Sequence, residues 1–321
     1  MVASHDVRSR KKYQSGKILQ ENIMKQFLTK SGKPITIGTG TGTKWQWAKK
    51  ATDDKYFQPV IDQLKLSIKC GYNHIDTADT YTTCPEVGKA IKESGVARED
   101  IWITTKYAAF TIQGRRAPET ITLAFNQMLE ELETDYVDAF LIHSPFIDED
   151  YDYTLTTLWQ ELLELYNTGK IRYIGGSNFS ANHLKLVSSL HETVKPVMNQ
   201  IEFHPNLQNQ SKNIVQFCKD NDILVEGYNP LCSLFKFKDE NLSNYIGELV
   251  KKYGKTDSQI ILKWVLQMGV LPVTTSSNED RIKQSLTLDF DLTEEEMKEI
   301  CDIGAKNKQR FFFSDFDEQD L

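Results

Sequence analysis

The chain has 321 residues, 40% of them apolar and 26% charged, and a net charge of −7. That length builds one large domain or two ordinary ones, the composition is that of a soluble globular protein, and the acidic balance argues against a general nucleic-acid binder. Five scattered cysteines (70, 84, 218, 232 and 301) without a C-x-x-C pair read as reduced cytosolic thiols, and show no zinc or iron–sulfur spacing. No apolar run approaches the ~18 residues of a membrane helix.

In chain order, residues 1–24 form a polar arm with no apolar signal core; its basic residues also admit a mitochondrial presequence. Residues 25–321 then alternate two patterns. β-rich runs occur at 35–40 (ITIGTG), 74–78 (HIDTA), 101–106 (IWITTK), 137–143 (VDAFLIH), 171–177 (IRYIGGS), 197–203 (VMNQIEF), 223–230 (ILVEGYNP) and 270–276 (VLPVTTS). Helical spacing is found at 57–69, where Val60, Ile61, Leu64 and Ile68 recur at three and four, and at 118–132, 154–168, 181–190, 211–220 and 245–267. The last of these is broken by KYGKTDSQ into two helices. A further helix is expected over 292–304, with Thr293 as cap and Glu296 at the box position.

Eight strands alternating with helices imply right-handed βαβ units and a parallel sheet, and eight strands close a barrel. The reading is a single (β/α)8 barrel. The competing doubly wound fold would carry G-x-G-x-x-G between an early strand and a helix. The only glycine-rich run, GTGTGT at 38–43, has the wrong spacing, and no helix is expected directly after it. By itself it reads as a flexible loop. The tail RFFFSDFDEQDL carries four phenylalanines that need a cover, such as the barrel mouth or a ligand.

Barrel enzymes keep their chemistry at the C-terminal ends of the strands. There the chain places Asp76 and Tyr81 after the second strand, Lys106 at the end of the third and His143 at the end of the fourth. Ser177 and Asn178 end the fifth, Asn199, Gln200 and Glu202 lie on the sixth, and Tyr228 ends the seventh. Singly, each has a plain reading: a turn-forming aspartate, a solvated lysine, a core imidazole, a packed tyrosine. In a barrel they converge on one rim. A phenol with a reference pKa of ~10 is a poor acid at neutral pH, and an adjacent ammonium lowers it. An aspartate keeps the ammonium charged, and a neutral imidazole can hold a carbonyl oxygen beside the phenol. The set suits protonation of an oxygen that becomes an alkoxide. It supplies no electrons, so hydride must come from a cofactor such as reduced nicotinamide.

These motifs together resemble the aldo-keto reductase family over about residues 25–310. HIDTADTY, ITTK, DAFLIHSP, GKIRYIGGSNF, NQIEFHP and GYNPL match its runs in order. The resemblance implies that Tyr81 is the general acid, Lys106 and Asp76 its tuning pair, and His143 the carbonyl-orienting group. Ser177, Asn178 and Gln200 would bind the cofactor's carboxamide above Tyr228. Pro230, Leu231 and Ser233 would follow the pyrophosphate, and Gly40 and Thr41 would line the mouth beside the cofactor. Ser276 and Arg281 would reach the adenosine 2′-phosphate, which favours NADPH over NADH.

Three departures stand out. Many relatives carry P-K-S after the eighth strand, where this chain has PVTTSS. Ser144 follows the histidine in place of a tryptophan. TGTGTKWQWAKK leaves Trp45 or Trp47 for the tryptophan of the usual G-x-G-T-W. The features are most similar to the fungal branch of conjugated polyketone, ketopantoyl lactone and α-keto amide reductases, which implies α-dicarbonyl substrates, a cytoplasmic location and a monomer, with a dimer as the alternative. A cofactor-binding regulatory subunit of the same fold is a second reading. A metal-dependent barrel hydrolase is a weaker third: its usual H-x-H pair is lacking, and His143 and His204 read as isolated, so no metal site is expected.

Overall fold

A computed structural model describes residues 27–50, 55–111, 116–237 and 239–313. The arm read over residues 1–24 lies outside them. Eight parallel strands close into a barrel in sequence order: β1 Gly38–Gly40, β2 His74–Asp76, β3 Trp102–Tyr107, β4 Val137–Ile142, β5 Ile171–Ser177, β6 Met198–Glu202, β7 Leu224–Tyr228 and β8 Val270–Thr274. Closure comes from β1 pairing with both β2 (Gly40 with Asp76) and β8 (Gly38 with Val273). The expected (β/α)8 fold is therefore the one observed. β2, β3, β4 and β6 are buried along their whole length, because side chains fill the barrel on one face and the helices cover the other.

The helices are α1 Lys44–Lys50, α2 Gln58–Cys70, α3 Cys84–Ser94, α4 Ile121–Glu131, α5 Leu155–Asn167, α6 Ala181–Ser189, α7 Ile214–Asp220, α8 Cys232–Phe235, α9 Glu240–Tyr253, α10 Asp257–Gln267, α11 Glu279–Leu286 and α12 Glu294–Lys306. α2 buries Val60, Ile61, Leu64 and Ile68, as its spacing predicts. The break in 245–267 falls at Gly254–Thr256, and Thr256 and Gln259 form a capping box that starts α10. Thr293 and Glu296 form the expected box at the start of α12.

Four differences have physical causes. The run 35–40 is a strand only from Gly38; Ile35 instead pairs its backbone N–H with Phe27 (3.2 Å), and both side chains join Trp102, Leu141 and Met198 in an apolar plug at the lower end of the barrel. A helix does follow the glycine-rich run: α1 forms because Trp45 is buried and its indole donates to Gln63 Oε1 at 3.0 Å, a tertiary anchor that spacing does not show. α3 carries Gly88 in its interior, a poor helix former, while Pro85 falls in its first turn, where proline is tolerated; the helix buries Val87, Ala90 and Ile91. α11 is mostly polar, and is held by Asn278 at its cap and by buried Ile282. With the lower end plugged, the other end of the barrel is left as the open face.

Candidate active site

The side chains at the upper rim come from neighbouring strands, as predicted. Asp76 ends β2, and Lys106 is the fifth residue of β3. The register sets Asp76 beside Thr104, so the lysine reaches over the rim of β2. Its ammonium donates to Asp76 Oδ2 at 2.7 Å and to the Thr77 carbonyl at 2.9 Å. Tyr81 closes the short turn Asp79–Tyr81 that follows β2. Its hydroxyl lies 3.4 Å from His143 Nε2, and the Lys106 ammonium stands 5.1 Å from the centre of its ring.

Electrostatics inside this group departs from the simplest expectation in one respect. The reading that an ammonium lowers the phenol's pKa holds for the contribution of Lys106 alone. Burial is larger, and the Tyr81 hydroxyl ends above its ordinary value, with Asp76 adding to the rise and Lys106 opposing it. Burial also works against a charge on Lys106, but Asp76 and Tyr81 outweigh it and hold the ammonium charged. The Asp76 carboxyl is raised by burial and by the charge of Glu226, against the pull of Lys106. His143 is pushed well below the usual imidazole range by burial and then by Lys106, so it is neutral at physiological pH.

The remaining predicted residues are spread along the same rim. Thr41 donates its backbone N–H (2.9 Å) and hydroxyl (3.1 Å) to the Asp76 carbonyl, bracing the strand that carries the acid. The Gly40 carbonyl accepts from Thr275 Oγ1 at 2.7 Å. Ser177 donates to the Gln200 carbonyl at 2.9 Å. Asn178, in a left-handed conformation at φ 61°, donates to the His143 carbonyl and accepts from the Tyr228 hydroxyl, both at 2.9 Å. Gln200 donates from Nε2 to Asp76 Oδ2 at 2.7 Å. Pro230 is buried and Leu231 half-buried at the entry to α8. Ser233 is buried and turns its hydroxyl toward His204 Nδ1, 3.3 Å away. Ser276 and Arg281 flank the start of α11; Ser276 is half-buried and Arg281 exposed.

Several residues were missed. Gly42 leaves the space that the Tyr81 ring fills, and the regular glycine spacing of the loop was the available signal. Glu226 and His74 lie inside the barrel behind Gln200, and a lone acid within the apolar run ILVEGY was the clue. Lys44 donates to Ser277 Oγ at 3.2 Å, bringing a cation to the segment between Ser276 and the start of α11. Of the two tryptophans offered for the loop, Trp45 is the packed one and Trp47 is exposed.

The phenylalanine tail covers the mouth. Glu202 accepts the backbone N–H groups of Phe311 (3.1 Å) and Phe312 (3.0 Å). The Phe312 ring meets Tyr228 edge-on at 5.5 Å, and Phe313 lies beside Phe110 and Phe146. The fourth phenylalanine is outside the described residues.

Glu202, His204 and Cys232 bring their ligand atoms within 4.8 Å of one another, closer together than the isolated histidines of the sequence suggest. Their hydrogen-bonding capacity is largely used: Glu202 serves the tail and Asn229 (3.0 Å), and burial pushes the Cys232 thiol up to about 12.

Comparison with known proteins identifies the family of the chain. The model of the Aldo/keto reductase family matches residues 34–305. A Saccharomyces cerevisiae NADPH-dependent alpha-keto amide reductase is 41% identical over 282 residues, 86% of this chain and 88% of the relative. A Bacillus subtilis glyoxal reductase is 39% identical over 242 residues, 75% of this chain and 82% of that protein. The crystal structure of a Bombyx mori aldo-keto reductase in complex with NADP superposes with a TM-score of 0.74 at 29% identity, covering 90% of this chain and 95% of the other. The chain belongs to the aldo/keto reductase family and is an oxidoreductase built on a (β/α)8 barrel.

Proposed function

We propose that the protein reduces carbonyl compounds with NADPH, with Tyr81 as the proton donor, and that its preferred substrates carry a second carbonyl beside the reacting one. The observation that carries this reading is the buried Lys106–Asp76 pair at 2.7 Å, set against a phenol whose hydroxyl is 3.4 Å from a neutral histidine.

The residues fit a nicotinamide dinucleotide phosphate. Lys44 reaches Ser277 Oγ at 3.2 Å, Ser276 is its chain neighbour, and Arg281 stands in the first turn of α11 just after them, so this segment offers the hydroxyl and cationic donors that a phosphate dianion requires. Gln200 spends its amide nitrogen on protein carboxylates, which leaves its oxygen to accept from a carboxamide. When bound, the cofactor supplies the hydride.

The chain's own groups handle the oxygen. Among the described residues, His143 Nδ1 is buried without a partner. A bare acceptor is the cheaper group to leave unpaired there, so the ring carries its proton on Nε2. That N–H donates to the substrate oxygen and holds it beside the Tyr81 hydroxyl. Burial keeps the phenol protonated at rest. As the proton leaves, the fixed Lys106 ammonium stabilises the growing phenolate without reorganising, and Asp76 keeps that ammonium in place.

The substrate preference rests on the mouth. Phe110 lies edge-on to the His143 ring at 5.9 Å, and Phe313 links it to Phe146 in an apolar wall beside the histidine. Ser144, buried, turns its hydroxyl to the Phe146 N–H at 3.2 Å, so no bulky group follows the histidine. A small, weakly charged substrate suits this space, and an adjacent carbonyl makes its reacting carbon more electrophilic. The named activities of the yeast and Bacillus relatives point the same way.

The test is NADPH oxidation over aldehydes, simple ketones and vicinal dicarbonyls, with NADH as control, for the native chain and Tyr81→Phe. Vicinal dicarbonyls should lead in kcat/KM, and the variant should lose at least about 100-fold in kcat with NADPH affinity retained. Near-native turnover by Tyr81→Phe would remove Tyr81 from its role, and a panel led by simple aldehydes would remove the substrate class.

A further inference from the structure

Behind the catalytic group the barrel interior holds a second carboxylate. Glu226, on β7, is buried and accepts a short hydrogen bond at Oε2 from Gln200 Nε2, the same nitrogen that donates to Asp76 Oδ2 at 2.7 Å. Glu226 Oε1 makes an ion-pair contact with His74 Nε2, on β2, at 3.1 Å; the contact is one of charge and not of hydrogen-bond alignment among the described residues. His74 is itself fixed: Nδ1 is 3.3 Å from the Thr36 carbonyl and Nε2 is 3.2 Å from Thr104 Oγ1. Its ring occupies the space beside Gly38, where a Cβ would come within 3.2 Å of it. Asp76 and Glu226 are thus matched by Lys106 and His74. Burial works against a charge on His74, but Glu226 and Asp76 outweigh it and raise its pKa.

We propose that Glu226, anchored by His74, is a positioning residue that locks the side-chain amide of Gln200 with its oxygen toward the cofactor cleft, and so fixes which face of the nicotinamide meets the substrate. An ionised carboxylate only accepts hydrogen bonds. With carboxylate oxygens from both Asp76 and Glu226 against one end of the amide, only the NH2 end fits there. Rotation by half a turn would press the amide oxygen against both. The amide oxygen is then the end that accepts from the carboxamide N–H, and a carboxamide held by a fixed acceptor cannot turn its ring over. The inference rests on Gln200 being the carboxamide contact.

Glu226→Gln has nearly the same shape but can donate as well as accept, so only Asp76 still opposes the turned Gln200 amide and its orientation is loosened. Three readouts on the full-length chain test it. The dissociation constants of NADPH and of adenosine 2′,5′-bisphosphate, which lacks the nicotinamide, are measured by calorimetry. The stereospecificity of hydride transfer is measured with NADPH deuterated at one or the other C4 position. Glu226→Gln should weaken NADPH about tenfold, the worth of one such contact, leave the bisphosphate within about twofold, and let deuterium transfer from both positions. His74→Gln, which keeps Glu226 but removes its anchor, should show the same pattern more weakly, and serves if Glu226→Gln does not fold.

Unchanged NADPH affinity with single-face transfer would overturn the proposal. So would equal weakening of both ligands, which marks a merely structural group. Gln200→Ala separates the two layers. If it too leaves affinity and stereospecificity intact, the carboxamide contact itself is wrong. If it disturbs both while Glu226→Gln and His74→Gln do not, the contact stands and the lock falls.

Discussion

Gly42 lies flat against the ring of Tyr81: a Cβ at this position would fall 2.8 Å from both Cε2 and Cζ. The contact joins the glycine-rich loop after β1 to Tyr81, the proposed proton donor, after β2. It gives the loop a packing role that a search for nucleotide-binding glycine spacing does not reveal.

Gly42→Ala should therefore push the phenol away from His143. We expect kcat to fall about tenfold or more, because a displacement of under an ångström costs alignment, while the NADPH dissociation constant changes little. Steady-state kinetics beside a binding titration checks this, and a normal kcat would show that the ring tolerates the methyl group.

Asp79 gives a pH signature. Its carboxylate accepts from the Ala108 backbone N–H at 3.0 Å and from Thr80 at 2.5 Å, yet burial raises it from 3.8 to about 7. The folded protein then holds a proton that the unfolded chain releases, so this group's contribution to stability is greatest below pH ~4 and is lost as pH rises toward 7. Asp79→Asn cannot titrate. The stability of the variant relative to the native protein should rise between pH 4 and 8, on the order of 2 kcal/mol once solvent screening is allowed for. Denaturant melts across that range measure it, and a difference independent of pH would refute the titration.

Glu202 is the clasp of the aromatic tail through the N–H groups of Phe311 and Phe312. Glu202→Gln sets an amide N–H against one of them. Hydrogen exchange at those two amides should quicken by about tenfold, and KM for the carbonyl substrate should rise several-fold as Phe312 and Phe313 loosen. Unaltered exchange would place the hold on the tail elsewhere, for example in Arg310, which donates to the Gln210 carbonyl at 2.6 Å.

The donors Lys44, Ser276, Ser277 and Arg281 predict coenzyme choice. Arg281→Ala should weaken NADPH by about 1–3 kcal/mol with little effect on NADH, and Lys44→Ala should do the same to a smaller extent. Equal losses for both coenzymes would take these residues off the 2′-phosphate. A loss only in Arg281→Ala would leave Lys44 as a surface contact of Ser277.

Much of this was present in local sequence. Strand runs bounded by helical spacing gave the barrel, because a period of two or a short apolar run against a period of 3.6 is a property of neighbours in the chain. The motif residues Asp76, Tyr81, Lys106 and His143 could be assigned to one rim because strand ends share a side of any such barrel. Capping at Thr293 was legible for the same local reason.

What tertiary structure alone decided are the interactions between distant segments. α1 exists because Trp45 finds Gln63; the Tyr81 pKa rises because burial exceeds the pull of Lys106; the Gln200 amide is oriented because β2 and β7 each send a carboxylate to the same nitrogen. The physical reason is common to all three. Propensity and periodicity act over a few residues, whereas desolvation and charge pairing depend on which strands a closed barrel brings face to face.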